Sequence, residues 1–148
     1  MIFVIDPYVG AGPLRLGATV DEVRSRISEA PKTFMKSPLS QHPTDAFLGV
    51  GVHAYYRQSG TCEAFEFHKP AVVLFTTQLL GRPFGQLLSW FTSIDPDVQA
   101  KPSGLTSLKY GVGLFAPSAQ KAPAEPTQGV IVFAKGYYEA AKASLGRK

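Results

Sequence analysis

The stretch GVHAYYRQSGTCEAFEF, Gly51 to Phe67, decides the fold. Val52, Ala54 and Tyr56 alternate with His53 and Tyr55, Gln58-Ser59-Gly60 supplies a turn, and Thr61 to Phe67 alternates again. That two-residue period is the mark of paired, half-buried strands, so a β-hairpin is predicted, with its pattern starting near Ala46. If Phe65 and Phe67 face the core, Glu63 shares their face while Glu66 and His68 take the other. The same alternation puts Tyr55 on the face of His53.

Working outward, Ile2 to Ile5 reads as a short strand ended by Asp6-Pro7. A glycine-rich turn follows, and then Val20, Val23 and Ile27 recur at helical spacing with Asp21, Glu22, Arg24 and Arg26 between them. Thr19 followed by Glu22 is a capping box, in which each side chain satisfies a free backbone N–H of the other residue. Pro31 closes this helix. Val72 to Phe75 adds a strand. Pro83 suits the first position of a second helix, where its missing N–H costs nothing, and Phe84, Leu87, Leu88 and Phe91 form its core stripe with Trp90 beside it. A polar loop, Asp95 to Gly104, leads to strands Leu105 to Leu108 and Val112 to Phe115, joined through Tyr110-Gly111. The proline-rich stretch Ala116 to Gln128 reads as an extended surface loop. Val130 to Phe133 is a last strand, and Tyr137 to Leu145 a terminal helix whose Lys142 complements the negative end of its dipole. No repeat of solenoid length and no linker appears. Strands joined by short turns imply an antiparallel sheet, so the expected fold is α+β: one domain over residues 1–148, with about three helices packed on one face of the sheet or at its ends.

The 148 residues suffice for one core, since a chain of this size buries roughly 68–70% of its unfolded surface. Hydrophobic residues make up 45% and charged ones 18%, and no apolar run approaches the ~20 residues of a membrane span. The N-terminal MIFVIDPYVG lacks the basic and long apolar regions of a secretory signal, and the single cysteine, Cys62, has no partner for a disulfide. A soluble, cytoplasmic protein is the expectation, with Cys62 a small buried strand residue. The net charge of +4 resides in the second half of the chain, where the basic residues are dispersed apart from Arg147-Lys148. A phosphate-tracking groove needs a denser basic stripe interleaved with aromatics, so nucleic acid is not an expected partner.

The turn GAGPLRLGATV, Gly10 to Val20, spaces Gly10 and Gly12 as a dinucleotide fingerprint would, but Arg15 stands where the third glycine belongs and Pro13 removes a backbone donor. It reads as a helix entrance. His53, Glu63, Glu66 and His68 lie on strands that pair, and two histidines with a carboxylate form a possible zinc ligand set. The spacing alone does not fix their register, and a solvated or cross-strand-paired sheet face is the reading preferred for them; neither metal nor cofactor is expected. No Ser/His/Asp, CxxC or HExxH arrangement is present, which argues against an enzyme. The tyrosines and the one tryptophan, with large apolar bodies and polar tips, suit core edges and protein interfaces.

The segments GPLRLGATVDEVR (Gly12 to Arg24), GVHAYYRQSGTCEAFEF, KYGVGLFAP (Lys109 to Pro117) and GVIVFAKGYYE (Gly129 to Glu139), in that order, resemble small bacterial immunity proteins of polymorphic toxin systems, including those of contact-dependent inhibition. LGATVDEV, Leu16 to Val23, separately resembles the helix entrance of small lipoprotein and β-lactamase-inhibitor-like domains. The first resemblance implies a non-catalytic protein, monomer or homodimer, that binds a cognate toxin domain and covers its active site or an exosite. The contact residues expected on that reading are His53, Tyr55, Glu66, Tyr110, Tyr137 and Tyr138. The alternative is a structural or small-ligand-binding subunit.

Overall fold

A computed structural model describes residues 2–35 and 42–138. The first half of the chain runs β1 (Ile2–Asp6), β2 (Gly10–Ala11), β3 (Leu14–Arg15), α1 (Val20–Ser25), β4 (Lys32–Phe34), β5 (Thr44–Phe47), β6 (Val52–Tyr56) and β7 (Cys62–Phe67). The second runs β8 (Ala71–Leu74), β9 (Thr77–Gln78), α2 (Phe84–Ile94), β10 (Gln99–Lys101), β11 (Gly104–Ser107), β12 (Val112–Phe115) and β13 (Gly129–Phe133). The fold is α+β, dominated by antiparallel pairing, with two helices among the described residues. The expected third helix, over 137–145, falls almost wholly outside them. None of the described helices is long and apolar enough to cross a membrane.

The single antiparallel sheet of the expectation is in fact two sheets. One has five strands in the order β3-β2-β1-β8-β9, the other eight in the order β10-β11-β12-β13-β7-β6-β5-β4. The smaller sheet joins β1 to β8 in parallel, Ile2 beside Ala71 and Val4 beside Val73, through a connection that contains the whole hairpin. Local turn chemistry gives no sign of such a long-range pair.

The larger sheet carries a repeat that the sequence conceals. The eight-strand order is palindromic about the β7–β13 pair, where Glu66 faces Ile131 while Val130 faces Phe67 and Val132 faces Phe65. Equivalent hydrogen bonds recur in each half: Gly17 N–H to the Cys62 carbonyl matches Gly81 N–H to the Thr127 carbonyl, and Cys62 N–H to Ala18 matches Thr127 N–H to Arg82. The bridges Thr19–Thr61 and Pro83–Pro126 match in the same way. Each half also turns its central hairpin with the same device, a glycine with positive φ, Gly51 (+80°) or Gly111 (+67°), donating its N–H to Phe47 or Ser107. The described residues thus form two copies of one unit, strands of the smaller sheet followed by a helix and four strands of the larger sheet, related by a pseudo-twofold. Few identities survive between them, among them Leu16-Gly17 with Leu80-Gly81 and Gly51-Val52 with Gly111-Val112.

The core lies between the two sheets and the helices. Val23 and Ile27, then Phe84, Leu87 and Phe91, insert against the inner face of the large sheet, where Val52, Ala54, Phe65, Phe67, Val112, Leu114, Val130 and Val132 are all buried. Thr19 and Glu22 close the capping box as read from the sequence, each side chain accepting from the other's backbone N–H. The glycine turn is therefore a helix entrance, and at Gly12, with φ +57°, an added Cβ would stand 3.2 Å from the Phe3 ring. Pro83 occupies the N-cap of α2 and not its first helical position. A buried polar knot ties α1 to the sheet: Arg24 makes a two-pronged contact with Asp45 at 2.8 and 2.9 Å, and the Tyr56 hydroxyl donates to the same carboxylate at 2.9 Å.

Candidate functional site

Strand alternation sends every second side chain of the large sheet away from the core. On β6 these are His53 and Tyr55, on β7 Ala64 and Glu66, on β13 Ile131 and Phe133, as the paired registers require. His68, just past the end of β7, continues the same row. The hairpin register, beyond reach of the sequence, sets His53 directly opposite Glu66.

The outcome is a compact polar cluster. The His53 and His68 rings stand 4.9 Å apart, and Nε2 of His68 lies 3.4 Å from Oε1 of Glu66. The Tyr55 hydroxyl donates to that same oxygen. One ligand atom from each of His53, Glu66 and His68 lies within 4.8 Å of the others. Phe34 on β4 packs edge-on against His53 at 5.8 Å. Burial alone would raise the Glu66 carboxyl, but hydrogen bonds from His68 and Tyr55 outweigh it and hold the group below its ordinary range. Burial and the neighbouring His68 depress His53, whereas the hydrogen bond to Glu66 raises His68. Burial, then the bond to Glu66, pushes the Tyr55 phenol well up, so it acts as a donor.

Glu63 does not share the core face with Phe65 and Phe67. A β-bulge pairs Tyr55 with Ala64 but Tyr56 with Cys62, leaving Glu63 unopposed in the ladder. Cys62 takes the core place instead, and Glu63 lies close enough to raise the Tyr137 phenol, second to burial in that effect.

Beside the polar cluster lies an aromatic one. Tyr55, Ala64 and Phe133 form its buried base, with Tyr8, Ile131, Tyr137 and Tyr138 packed around them. Tyr137 stacks on Phe133 at 5.7 Å, and Tyr138 meets the same ring edge-on at 4.9 Å. Lys101 Nζ sits 4.9 Å from the Tyr138 ring centre, a cation–π distance. Between the clusters a cleft of about 280 Å³ is lined by Glu66, Lys101, Thr106, Phe115, Ile131 and Tyr138. Gly113 leaves it open from below, since a Cβ there would stand 2.8 Å from the Ile131 side chain and 3.8 Å from the Tyr138 hydroxyl.

Of the six contact residues expected from the sequence, His53, Tyr55 and Glu66 thus meet directly, and Tyr137 and Tyr138 join them through Phe133. Tyr110 stands apart: its hydroxyl donates to the Ile94 carbonyl at 3.0 Å and its ring packs against Phe75 and the main core. The sequence reading omitted Lys101, Ile131 and Phe115 from the set. Lys101 lies in a stretch read as loop, and the other two are ordinary strand residues until the register is known. No family model, no curated protein and no solved structure matches the chain.

Proposed function

We propose that the chain is a cytoplasmic immunity protein that uses the outer face of its eight-stranded sheet to hold a toxin domain and cover its active site or an exosite. The toxin partner follows from the resemblance of its sequence segments to immunity proteins of polymorphic toxin systems. The observation that supports a binding face is a cleft lined by Glu66 and Tyr138, with Tyr55 hydrogen-bonded to Glu66 and His53 paired opposite it, on the side of the sheet turned away from the core.

Aromatic side chains with polar tips, held rigid by their neighbours, lose little freedom on binding, and such residues dominate hot spots in protein interfaces. A cleft of this size takes one large side chain from a partner, anchored by the Glu66 carboxylate and the flanking Lys101. A stable complex requires about 1,600 Å² of total buried surface, so contacts extend beyond the cleft across neighbouring strands. Co-expression with the C-terminal domain of the large protein encoded immediately upstream tests the reading. Rescue of growth is expected; growth arrest despite full expression of this chain would contradict it.

A further inference from the structure

We propose that His53, Glu66 and His68 form a divalent metal site, with zinc the preferred ion, three protein ligands and one open position. The inference rests on the isolated chain and stands or falls independently of any protein partner.

The donor set is two imidazoles and a carboxylate, a combination that suits zinc and its borderline neighbours and leaves room for a fourth, non-protein ligand. The geometry agrees. Bonds of ~2.0–2.1 Å from zinc place tetrahedral donors roughly 3.3 Å apart, and His68 Nε2 lies 3.4 Å from Glu66 Oε1. The remaining donor separations are no more than 4.8 Å, a gap that a modest imidazole rotation closes. Two of the ligands come from directly paired strand positions, His53 and Glu66, so the rigid ladder fixes their spacing before any metal arrives.

The surroundings supply the outer support that metal ligands need. Tyr55 donates its hydroxyl to Glu66 and orients the carboxylate. The His68 ring is hydrogen-bonded to the backbone of Gln128, which leaves its Nε2 turned toward Glu66. Partners of this kind fix the orientation of a metal-binding imidazole or carboxylate, and their loss commonly weakens affinity ten- to a hundredfold.

The test is calorimetric titration of tag-free, chelator-stripped protein with zinc chloride, repeated with cobalt chloride to read the ligand field from the visible spectrum. One equivalent of zinc should bind, with a tetrahedral cobalt spectrum. His53→Ala and His68→Ala should each weaken binding at least tenfold, Tyr55→Phe should weaken it roughly ten- to a hundredfold, and His42→Ala should leave it unchanged. Circular dichroism melts on each variant separate loss of a ligand from loss of the fold. Absence of stoichiometric zinc binding would overturn the proposal, and so would undiminished binding in a folded His53→Ala/His68→Ala double variant.

Discussion

Ile131 stands directly opposite Glu66 at the centre of the eight-stranded sheet, on the pseudo-twofold that relates the two halves of the chain. Equivalent places in the two units thus carry an apolar branched residue and a carboxylate. The units share a backbone but not a surface: His53 on β6 corresponds to Gly113 on β12, each lying between matching neighbours in its hairpin. The polar cluster lies on one half of the outer face, and the cleft above Gly113 opens on the other.

If the two halves are one unit used twice, their turn glycines do the same job. Gly51→Ala and Gly111→Ala each force a left-handed conformation on a residue with a Cβ, which costs about 1–2 kcal/mol. A Cβ at position 51 would also meet the Lys69 side chain at 2.5 Å, and at position 111 the Tyr8 ring at 2.9 Å and the Phe133 carbonyl at 3.1 Å. Urea unfolding should show both variants destabilised, Gly51→Ala the more, because the Lys69 Cβ that its new methyl meets at 2.5 Å is held by the backbone and cannot swing aside. An unchanged midpoint for either would contradict the equivalence.

The knot of Arg24, Asp45 and Tyr56 should answer unequally to its three members. Asp45 is almost fully buried while Arg24 is part-exposed. Arg24→Met strands a buried carboxylate and is expected to cost about 3 kcal/mol or more. Tyr56→Phe removes one donor and leaves the Arg24 contact in place, at about 1–2 kcal/mol. Chemical denaturation of the two variants reads the order directly; a larger loss for Tyr56→Phe would show that the ion pair matters less than the geometry implies.

Cys62 should behave as an inert thiol. Its side chain is buried, its Sγ contacts the Ala64 carbonyl, and burial pushes its pKa up to about 12. Because the raised pKa favours the neutral thiol, the reactive thiolate is scarce throughout the neutral range. Iodoacetamide at pH 8 should label the native protein far more slowly than the urea-unfolded chain. Equal rates would mean that β6 and β7 part readily.

Much of this architecture was legible in the sequence, and the failures have physical causes. The hairpin from Val52 to Phe67, the capped helix after Thr19 and the Phe84–Leu87–Phe91 stripe were readable because each is signalled by local periodicity or by a cap a few residues away. The parallel β1–β8 pair was not, since nothing near Ile2 points to a partner as distant as Ala71. The duplication stayed hidden because packing conserves the apolar character of core-facing positions more than their identity: Val20 and Val23 become Phe84 and Leu87. Glu63 was assigned to the wrong face because strict alternation does not foresee a bulge. The site suffered most from the missing register, which alone brings His53 to Glu66 and separates Tyr110 from the other tyrosines.

The cleft itself is open to a direct steric test. Gly113→Leu fills it from the floor, with Ile131 as the side chain that must shift. Growth rescue by co-expression should fall sharply for this variant, with a melt showing that the chain still folds, at a lowered midpoint because Ile131 has to give way. Full rescue by a folded Gly113→Leu chain would move the contact surface elsewhere.

The most direct measurement of the central claim is co-elution of the toxin domain with this chain on a sizing column, comparing wild type, a Tyr55→Ala/Tyr138→Ala variant of the outer face, and Lys121→Ala in the distant proline-rich loop. A one-to-one complex is predicted for wild type and Lys121→Ala and not for the outer-face variant, all three melting as folded proteins. A complex that survives the outer-face substitutions, or that fails to form with wild type, would contradict the account.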